Sequence, residues 1–391
     1  MFVTEVKEHL TKDIIPFWKN LHDETYGGFY GFMDYDLKVD QKAVKGAILN
    51  SRILWFFSNA YMTLKDPTLL KEATHAYVFL MNHCIDKTNG GIYWSLQYDG
   101  SVEDSTKHTY NQAFAIYALS SYYDASKNKE ALQLAYDLYR IVEEKCSDEY
   151  GYKEAQSEEF ELISNDKLSE NGIIANKTMN TLLHVFEGYT ELYRVTEDKE
   201  VKERLLHMID IFENKIYNPK LHRQEVFFDT QWNSLIDLQS YGHDIESSWL
   251  IDYGCRIINE EEVTKKIEVI TSDLAKRIHE RAYVNHSVLN ECENNIDHTM
   301  RIWWVQAEAV LGFMNEYHKH PEKTEYKEAV LNVWNYIKTK MVDQRNGSEW
   351  FWQLDSMGNP DMTKPIVEPW KCPYHNGRMC IEIIKRGGDI A

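Results

Sequence analysis

The sequence has few positive charges, no C-x-x-C pair and no apolar run long enough to cross a bilayer. Its 43 Lys and Arg residues are outnumbered by 62 Asp and Glu residues, so the formal net charge is −19. Such acidity repels phosphate backbones and anionic lipid surfaces, which argues against nucleic acid or a membrane as partner. The first residues also lack the basic and apolar regions of a signal peptide.

The six cysteines are scattered along the 391 residues. In a chain of this length their spacing is typical of reduced thiols rather than of a disulfide framework, and it predicts a cytoplasmic protein. No Pro- or Ser-rich linker interrupts the sequence, so we expect one domain over residues 1–391. A monomer is a separate expectation, which the sequence does not fix.

Aromatic residues are abundant, with 11 Trp, 25 Tyr and 15 Phe making up 13% of the chain. Part of this content fills a core. Tryptophan in such numbers also suits a concave site whose walls stack on flat apolar faces, and pyranose rings present such faces.

A helical repeat of about 60 to 75 residues runs through the sequence. Segments that are apolar around most of their circumference alternate with segments that have one polar face, and this alternation predicts inner and outer helices. Short Gly- and aromatic-rich stretches between the pairs predict strands or hairpins on one rim. We therefore expect an all-α (α/α)6 barrel of about twelve helices, at roughly 3–21, 42–64, 67–85, 107–126, 128–146, 176–196, 198–216, 242–259, 260–283, 299–318, 323–342 and 373–387.

The predicted inner helices carry polar and titratable side chains, which an apolar helix does not need. One such set occurs in almost every helix pair, so converging helices would bring the sets together around a central pocket. A single buried histidine is more often a hydrogen-bonded core residue, and Arg52 alone could pair with a core acid. The candidates are Arg52, Tyr110, Asn180, His184, His243, Glu246, Trp303, Trp304, Glu308, Trp370 and His375.

His243 and Glu246 are three residues apart and so share one helix face. A carboxylate beside an imidazole fixes its tautomer and raises its basicity. The alternative is a metal site, but di-iron bundles use the reverse order, Glu-x-x-His, and use it twice. Cys372 and His375 with Cys380 form only a weak zinc pattern. We expect no metal and no other cofactor.

Several histidines, one arginine and stacking tryptophans predict acid–base chemistry on a neutral polar ligand. Arg52 could hold the negative charge that develops on a carbonyl oxygen. Together these groups suit proton abstraction beside the carbonyl of an open-chain sugar. Protonation of the resulting enediolate at the same carbon gives epimerisation, and protonation at the neighbouring carbon gives aldose–ketose isomerisation.

Five segments resemble the cellobiose 2-epimerases of the N-acylglucosamine 2-epimerase superfamily, and the resemblance spans the whole chain. They are AVKGAILNSRILWFFSNAY, KHTYNQAFAIYALSSYYDA, SYGHDIESSWL, WWVQAEAV and PWKCPYHNGRMC. The resemblance implies an (α/α)6 barrel that epimerises the reducing glucose of β-1,4-linked disaccharides at C2, taking cellobiose to glucosyl-mannose and lactose to epilactose, without metal or nucleotide.

Residue roles are also implied by this resemblance. His243 and His375 would be the acid/base pair, Arg52 would bind the reacting oxygens, and Glu246 would orient His243 and make it the stronger base. The substrate-binding residues would be Tyr110, Asn180, His184, Trp303, Trp304, Glu308 and Trp370.

Three alternatives remain open from the sequence. The superfamily includes monosaccharide 2-epimerases and aldose–ketose isomerases. A glycoside hydrolase on the same barrel would need two acids flanking the scissile bond, for which Asp244, Glu246 and Glu308 are candidates. A non-catalytic sugar-binding protein would need only the stacking tryptophans.

Overall fold

Twelve helices in two concentric rings account for most of the residues that the computed structural model describes, 1–168 and 171–387. The inner helices are Ala47–Leu64, Thr109–Ser126, Met179–Thr196, Tyr241–Ile258, Trp303–Lys319 and His375–Arg386. The outer helices are Phe2–His9 continued by Leu10–Ile14 and Ile15–Lys19, Pro67–Phe79 continued by Leu80–Cys84, Lys129–Lys145, Lys199–Ile211 continued by Phe212–Ile216, Glu261–Arg281, and Thr324–Tyr336 continued by Ile337–Met341. The prediction of an all-α (α/α)6 barrel is confirmed.

The inner ring is closed. Each inner helix packs on the next along the chain, and the sixth, His375–Arg386, packs on the first, Ala47–Leu64. Most of their side chains are buried all round, whereas an outer helix such as Lys129–Lys145 buries only one face. This difference follows from the sequence, because a helix enclosed by neighbours can hold apolar residues at every position. None of the helices within the described ranges is long and apolar enough to cross a membrane.

The turns from an inner to an outer helix are very short. The first inner helix is followed by Lys65, which adopts a left-handed conformation with φ of 60°. The next residue, Asp66, accepts a hydrogen bond from the backbone N–H of Thr68. The same order of left-handed residue and capping side chain recurs at Lys127 and Asn128. An Asp or Asn directly after the turn starts the outer helix at once, because its side chain satisfies a free N–H group.

The turns from an outer to an inner helix are long and contain the strands, which confirms the predicted rim of hairpins. All ladders are antiparallel. The strands are Lys45–Gly46, Ser95–Leu96, Val102–Asp104, Lys107–His108, Ser147–Asp148, Gly151–Tyr152, Ala155–Gln156, Lys177–Thr178, Tyr217–Asn218, Arg223–Gln224, Phe227–Phe228, Leu238–Ser240, Tyr283–Val284, Ser287–Val288, Glu291–Glu293, Ile296–His298, Arg301–Ile302 and Gln353–Leu354.

The rim also corrects two predicted helix starts. The helix predicted from residue 42 begins at Ala47, because Lys45–Gly46 pairs with Ser95–Leu96. The helix predicted from residue 299 begins at Trp303, because Arg301–Ile302 forms the ladder that precedes it. A two-residue strand is too short to interrupt helical periodicity, so the sequence pattern merged it with the following helix.

Candidate active site

One side chain from every inner helix faces the barrel axis at the same place in the repeat. Each lies seven positions after a rim-strand residue, or after the matching rim residue Lys371, and so about two helical turns further along. These side chains are Arg52, Phe114, His184, Glu246, Glu308 and Arg378. The Arg52 guanidinium lies 4.3 Å from the centre of the Phe114 ring, and that ring lies 4.7 Å from the His184 ring. The predicted convergence of polar sets on a central site is therefore present in the structure.

His375, the first residue of the sixth inner helix, is held by a carboxylate. Its Nδ1 lies 2.7 Å from Oε1 of Glu308, whose Oε2 accepts a hydrogen bond of 2.9 Å from the Trp249 indole. A carboxylate only accepts, so Nδ1 carries the proton and Nε2 of the neutral ring is a base. Burial, and then the charges of Arg378 and Arg52, hold the pKa of His375 well below its ordinary value.

His243 has a different partner from the one expected. Its Nδ1 lies 2.7 Å from the hydroxyl oxygen of Ser240, and the half-buried ring packs 4.8 Å from Trp304, which lies 5.4 Å from the ring of His375. Burial lowers the pKa of His243 to about 3. Both histidine rings therefore pack against the same tryptophan, and both are held neutral.

The expected pairing of Glu246 with His243 is wrong. Glu246 Oε1 accepts a hydrogen bond of 2.5 Å from Arg378 and lies 3.8 Å from Nδ1 of His375. A spacing of three residues places two side chains on one side of a helix but does not make them touch. His243 turns back towards Ser240 on the rim strand, whereas Glu246 lies one turn deeper, beside the axis.

Arg52 is a buried cation, 2% exposed, and no carboxylate pairs with it in the part of the chain that the structure describes. It donates to the Tyr110 hydroxyl over 2.8 Å and to the Trp370 carbonyl over 3.3 Å, and its guanidinium stacks 4.7 Å from the Tyr374 ring. A buried charge without a counter-charge is costly. This cost indicates a site prepared for a ligand that becomes negative.

The sequence analysis missed a network beneath these groups. Arg378 donates to Glu246 over 2.5 Å, to Glu308 over 2.8 Å and also to Glu187. Glu187 in turn accepts hydrogen bonds from Tyr374. Burial raises the pKa of Glu187, but Arg378, His184 and Tyr374 together outweigh burial and lower it to about 2. Arg378 could have been found from its position, seven residues after Lys371.

His184 joins this network. Its Nδ1 lies 2.9 Å from Oε2 of Glu187, and burial lowers its pKa. Its ring meets the edge of Tyr110 at 5.1 Å, and Tyr110 in turn lies 5.9 Å from Trp370. The predicted substrate-binding residues His184, Tyr110 and Trp370 are thus brought together with Arg52.

The remaining predicted residues lie around the same axis. Trp303 meets the ring of His375 at 6.2 Å, and its buried Nε1 has no partner among the described residues. Asn180 is half-buried, and its side-chain oxygen is likewise without a partner in the described ranges. Trp94, which the sequence analysis did not select, lies 5.7 Å from Trp370 and extends the aromatic wall. These groups offer a ligand both flat faces and free hydrogen-bonding atoms.

Glu246, Glu308 and His375 are close enough to hold a metal ion, with one ligand atom of each within 4.8 Å of the others. The Arg378 guanidinium, however, already donates to both carboxylates at 2.5 and 2.8 Å. It occupies the position that a cation would take, so the arrangement does not fit a metal centre.

Burial, and then the charge of Glu308, raise the pKa of Glu246.

Known proteins of the same length match this chain throughout. A curated cellobiose 2-epimerase from Ruminococcus albus is 47% identical over 390 residues, covering 100% of both chains, and one from Dictyoglomus turgidum is 45% identical, covering 98% of each. The crystal structure of a sugar epimerase from a ruminal bacterium superposes with a TM-score of 0.98 at 47% identity over 100% of both chains.

More distant matches show where the likeness ends. A D-mannose isomerase structure superposes with a TM-score of 0.83 at 19% identity, covering 98% of this chain and 97% of that one, and this shows a shared fold alone. The family model described as N-acylglucosamine 2-epimerase matches residues 27–376. Because this family model covers most of the chain and the relatives match over its full length, the chain belongs to the N-acylglucosamine 2-epimerase family.

Proposed function

We propose that this protein is a cellobiose 2-epimerase, an isomerase that inverts C2 of the reducing glucose in β-1,4-linked disaccharides such as cellobiose and lactose. The observation that carries the proposal is that two neutral histidines, His243 and His375, both pack against Trp304 and lie near a buried arginine. The relatives that are 45 to 47% identical over the full length of this chain carry that name.

The proposed reaction begins with opening of the sugar ring, because only the open-chain aldehyde acidifies the C2–H bond. Nε2 of His375 takes the C2 proton, and the bonding electrons pass into the enediolate, whose oxygen charge Arg52 stabilises. His243 takes up a proton from solvent and, as the imidazolium, delivers it to C2 on the opposite face; the ring then closes, and His375 returns its proton to solvent. Two bases on different helices avoid any need for the intermediate to rotate.

Two other classes of function are less well supported. A glycoside hydrolase would need two carboxyl groups free to flank a glycosidic bond. Glu246 and Glu308 instead both bind Arg378, and Glu308 also holds His375. A sugar-binding protein would use the tryptophans but would have no need of two desolvated histidines, whose burial costs stability.

The test is to incubate cellobiose and lactose with the protein in D2O and to identify the products by NMR. We expect the C2 epimer, with deuterium at C2 in both sugars. Free monosaccharide would instead show a hydrolase, and unchanged, unlabelled sugar would show a binding protein. N-acetylglucosamine as the best substrate, with activation by ATP, would place the protein in another branch of the family.

The proposal includes the setting in which the enzyme works. The substrate is a small neutral disaccharide, the ring acts as one catalytic domain and as a monomer, and the reaction takes place in the cytoplasm without metal or nucleotide. Size-exclusion chromatography with light scattering tests the monomer, and a second species of twice the mass that alone carries activity would contradict it.

A further inference from the structure

The two active-site histidines are held by partners of different chemistry, although each is held through Nδ1. Glu308 lies 2.7 Å from Nδ1 of His375, and Ser240 lies 2.7 Å from Nδ1 of His243. We propose that Ser240 is a positioning residue that lets His243 take either neutral tautomer, while Glu308 restricts His375 to one. This inference rests on the proposed epimerase function.

The difference follows from what each partner can do. A carboxylate is only an acceptor, so Nδ1 of His375 must be N–H and Nε2 must offer a lone pair. A hydroxyl both donates and accepts. With Ser240 as acceptor, Nε2 of His243 is a base; with Ser240 as donor, Nε2–H can donate a hydrogen bond to a sugar oxygen. His243 can therefore serve a carbonyl and a hydroxyl in turn while it stays uncharged.

Ser240 is built into a rigid element. It ends the strand Leu238–Ser240, pairs with Glu291 in the antiparallel ladder, and is 8% exposed. The backbone therefore holds the hydroxyl in place beside the third residue of the helix Tyr241–Ile258. A side chain fixed in this way orients the imidazole without moving with it, which favours a well-defined direction for Nε2.

Among the described residues, no charged side chain in contact with His243 fixes its tautomer, so the tautomer depends on Ser240. The neighbouring inner helix contributes the neutral ring of Trp304, 4.8 Å away. Two titratable groups act on it from a greater distance: His184 lowers its pKa and Glu308 raises it, and burial exceeds both. No described residue forms an ion pair with His243, so Ser240 supplies its fixed hydrogen bond.

Three substitutions at this position test the inference, because they change the hydrogen-bonding chemistry in separate ways. Ser240→Thr keeps a hydroxyl, Ser240→Ala removes it, and Ser240→Asp provides an acceptor that cannot donate. The matched control is Ser247→Ala, since Ser247 lies on the same helix and its buried hydroxyl has no partner among the described residues. Activity, pH profile, thermal stability and C2–H exchange in D2O are measured for each.

We expect Ser240→Ala to lower kcat by about tenfold to a hundredfold with little change in KM, because the imidazole loses its orientation. Ser240→Thr and the Ser247→Ala control stay close to the unsubstituted enzyme. Ser240→Asp lowers kcat and moves the acidic limb of the pH profile upwards by about one unit or more, because a carboxylate favours the imidazolium. In Ser240→Ala, epimer formation falls more than C2–H exchange, because His375 is unchanged.

Equal kcat values for the Ala and Thr variants would overturn the inference, and so would an acidic limb that does not move in Ser240→Asp. A variant that fails to fold is recognised by its thermal transition, and the other two still decide the question. The proposed function fails separately: the unsubstituted protein would then form no epimer from cellobiose or lactose in D2O.

Discussion

The rim and the axis of the barrel use the same repeat of buried charges in different ways. At the rim, buried lysines have their own local acids: Lys45 bonds Asp23 at 2.6 Å, and Lys107 bonds Asp86 at 2.7 Å. Seven positions later, at the axis, Arg52 has no carboxylate partner in the described ranges. Pairs closed within one repeat unit stabilise the fold, whereas groups left open between units are available for chemistry.

The axis also differs in sharing charges among helices. Arg378 of the sixth inner helix holds Glu187 of the third, Glu246 of the fourth and Glu308 of the fifth, so four helices share one cation. At the rim, Lys177 with Asp148 and Lys371 with Glu349 repeat the self-contained pattern. Substitutions at the two levels should therefore separate stability from catalysis, and three predictions test this.

The largest effect is expected from His375→Asn. Loss of the Nε2 base removes general-base catalysis, which is worth about 10²–10⁴ in rate. Epimerisation of cellobiose, followed by chromatography, should fall by about that factor, while the thermal transition changes little because Asn fills part of the same space. A variant that keeps one tenth or more of the normal rate would remove His375 from the proposed chemistry.

Arg52→Lys comes next. The substitution keeps the charge but loses the fork of parallel donors that can hold two adjacent oxygens. We expect kcat to fall by about 10²–10³, the loss typical of removing one donor to a developing oxyanion. The measurement is the initial rate of epilactose formation from lactose. Near-normal turnover in this variant would reduce Arg52 to a structural cation, like those at the rim.

The rim pair behaves in the opposite way. Lys107→Met leaves Asp86 buried without its cation, which should lower the free energy of unfolding by about 3–5 kcal/mol. Chemical denaturation measures this loss, and kcat per folded molecule should remain close to normal. The double variant Lys107→Met with Asp86→Leu should regain much of the stability. If the Lys107→Met variant kept its stability but lost its activity, stability could not be assigned to the rim and catalysis to the axis.

Some of the features behind these predictions can be predicted from the sequence, and others cannot. The helices and the axial positions could be predicted, because helical periodicity and out-of-place polar residues such as Arg52 and His184 are visible in a single chain. The partners could not. The spacing and the family resemblance both pair Glu246 with His243, whereas Glu246 binds Arg378 on another helix. Contacts between helices depend on ring closure, which local spacing does not encode.

Single-residue features at the rim were missed for a related reason. Ser240 looks like any residue of a loop, and only the ladder between Leu238–Ser240 and Glu291–Glu293 fixes it beside His243. The seven-residue offset from the rim cations would have located Arg378 as well. That offset becomes visible only once the short strands are separated from the helices that follow them.

The smallest expected effect is that of removing metal ions, which tests whether the acids at the axis are held by Arg378 or by a metal. Glu246, Glu308 and His375 provide three ligand atoms within 4.8 Å, but the Arg378 guanidinium lies 2.5 and 2.8 Å from the two carboxylates. A guanidinium and a divalent cation are alternative counter-charges for the same acids. EDTA should therefore leave the epimerisation rate of the unsubstituted protein unchanged.

The converse experiment uses Arg378→Ala. Removing the guanidinium leaves Glu246 and Glu308 without their shared cation, and two carboxylates with one imidazole form a zinc ligand set. Calorimetry with Zn2+ should detect binding to this variant that the unsubstituted protein lacks, together with a thermal transition raised by zinc. Loss of activity with EDTA that zinc restores in the unsubstituted protein would contradict this view. Arg378 would then have to move aside for a metal, and the axis would be a metal centre rather than a set of acids held by an arginine.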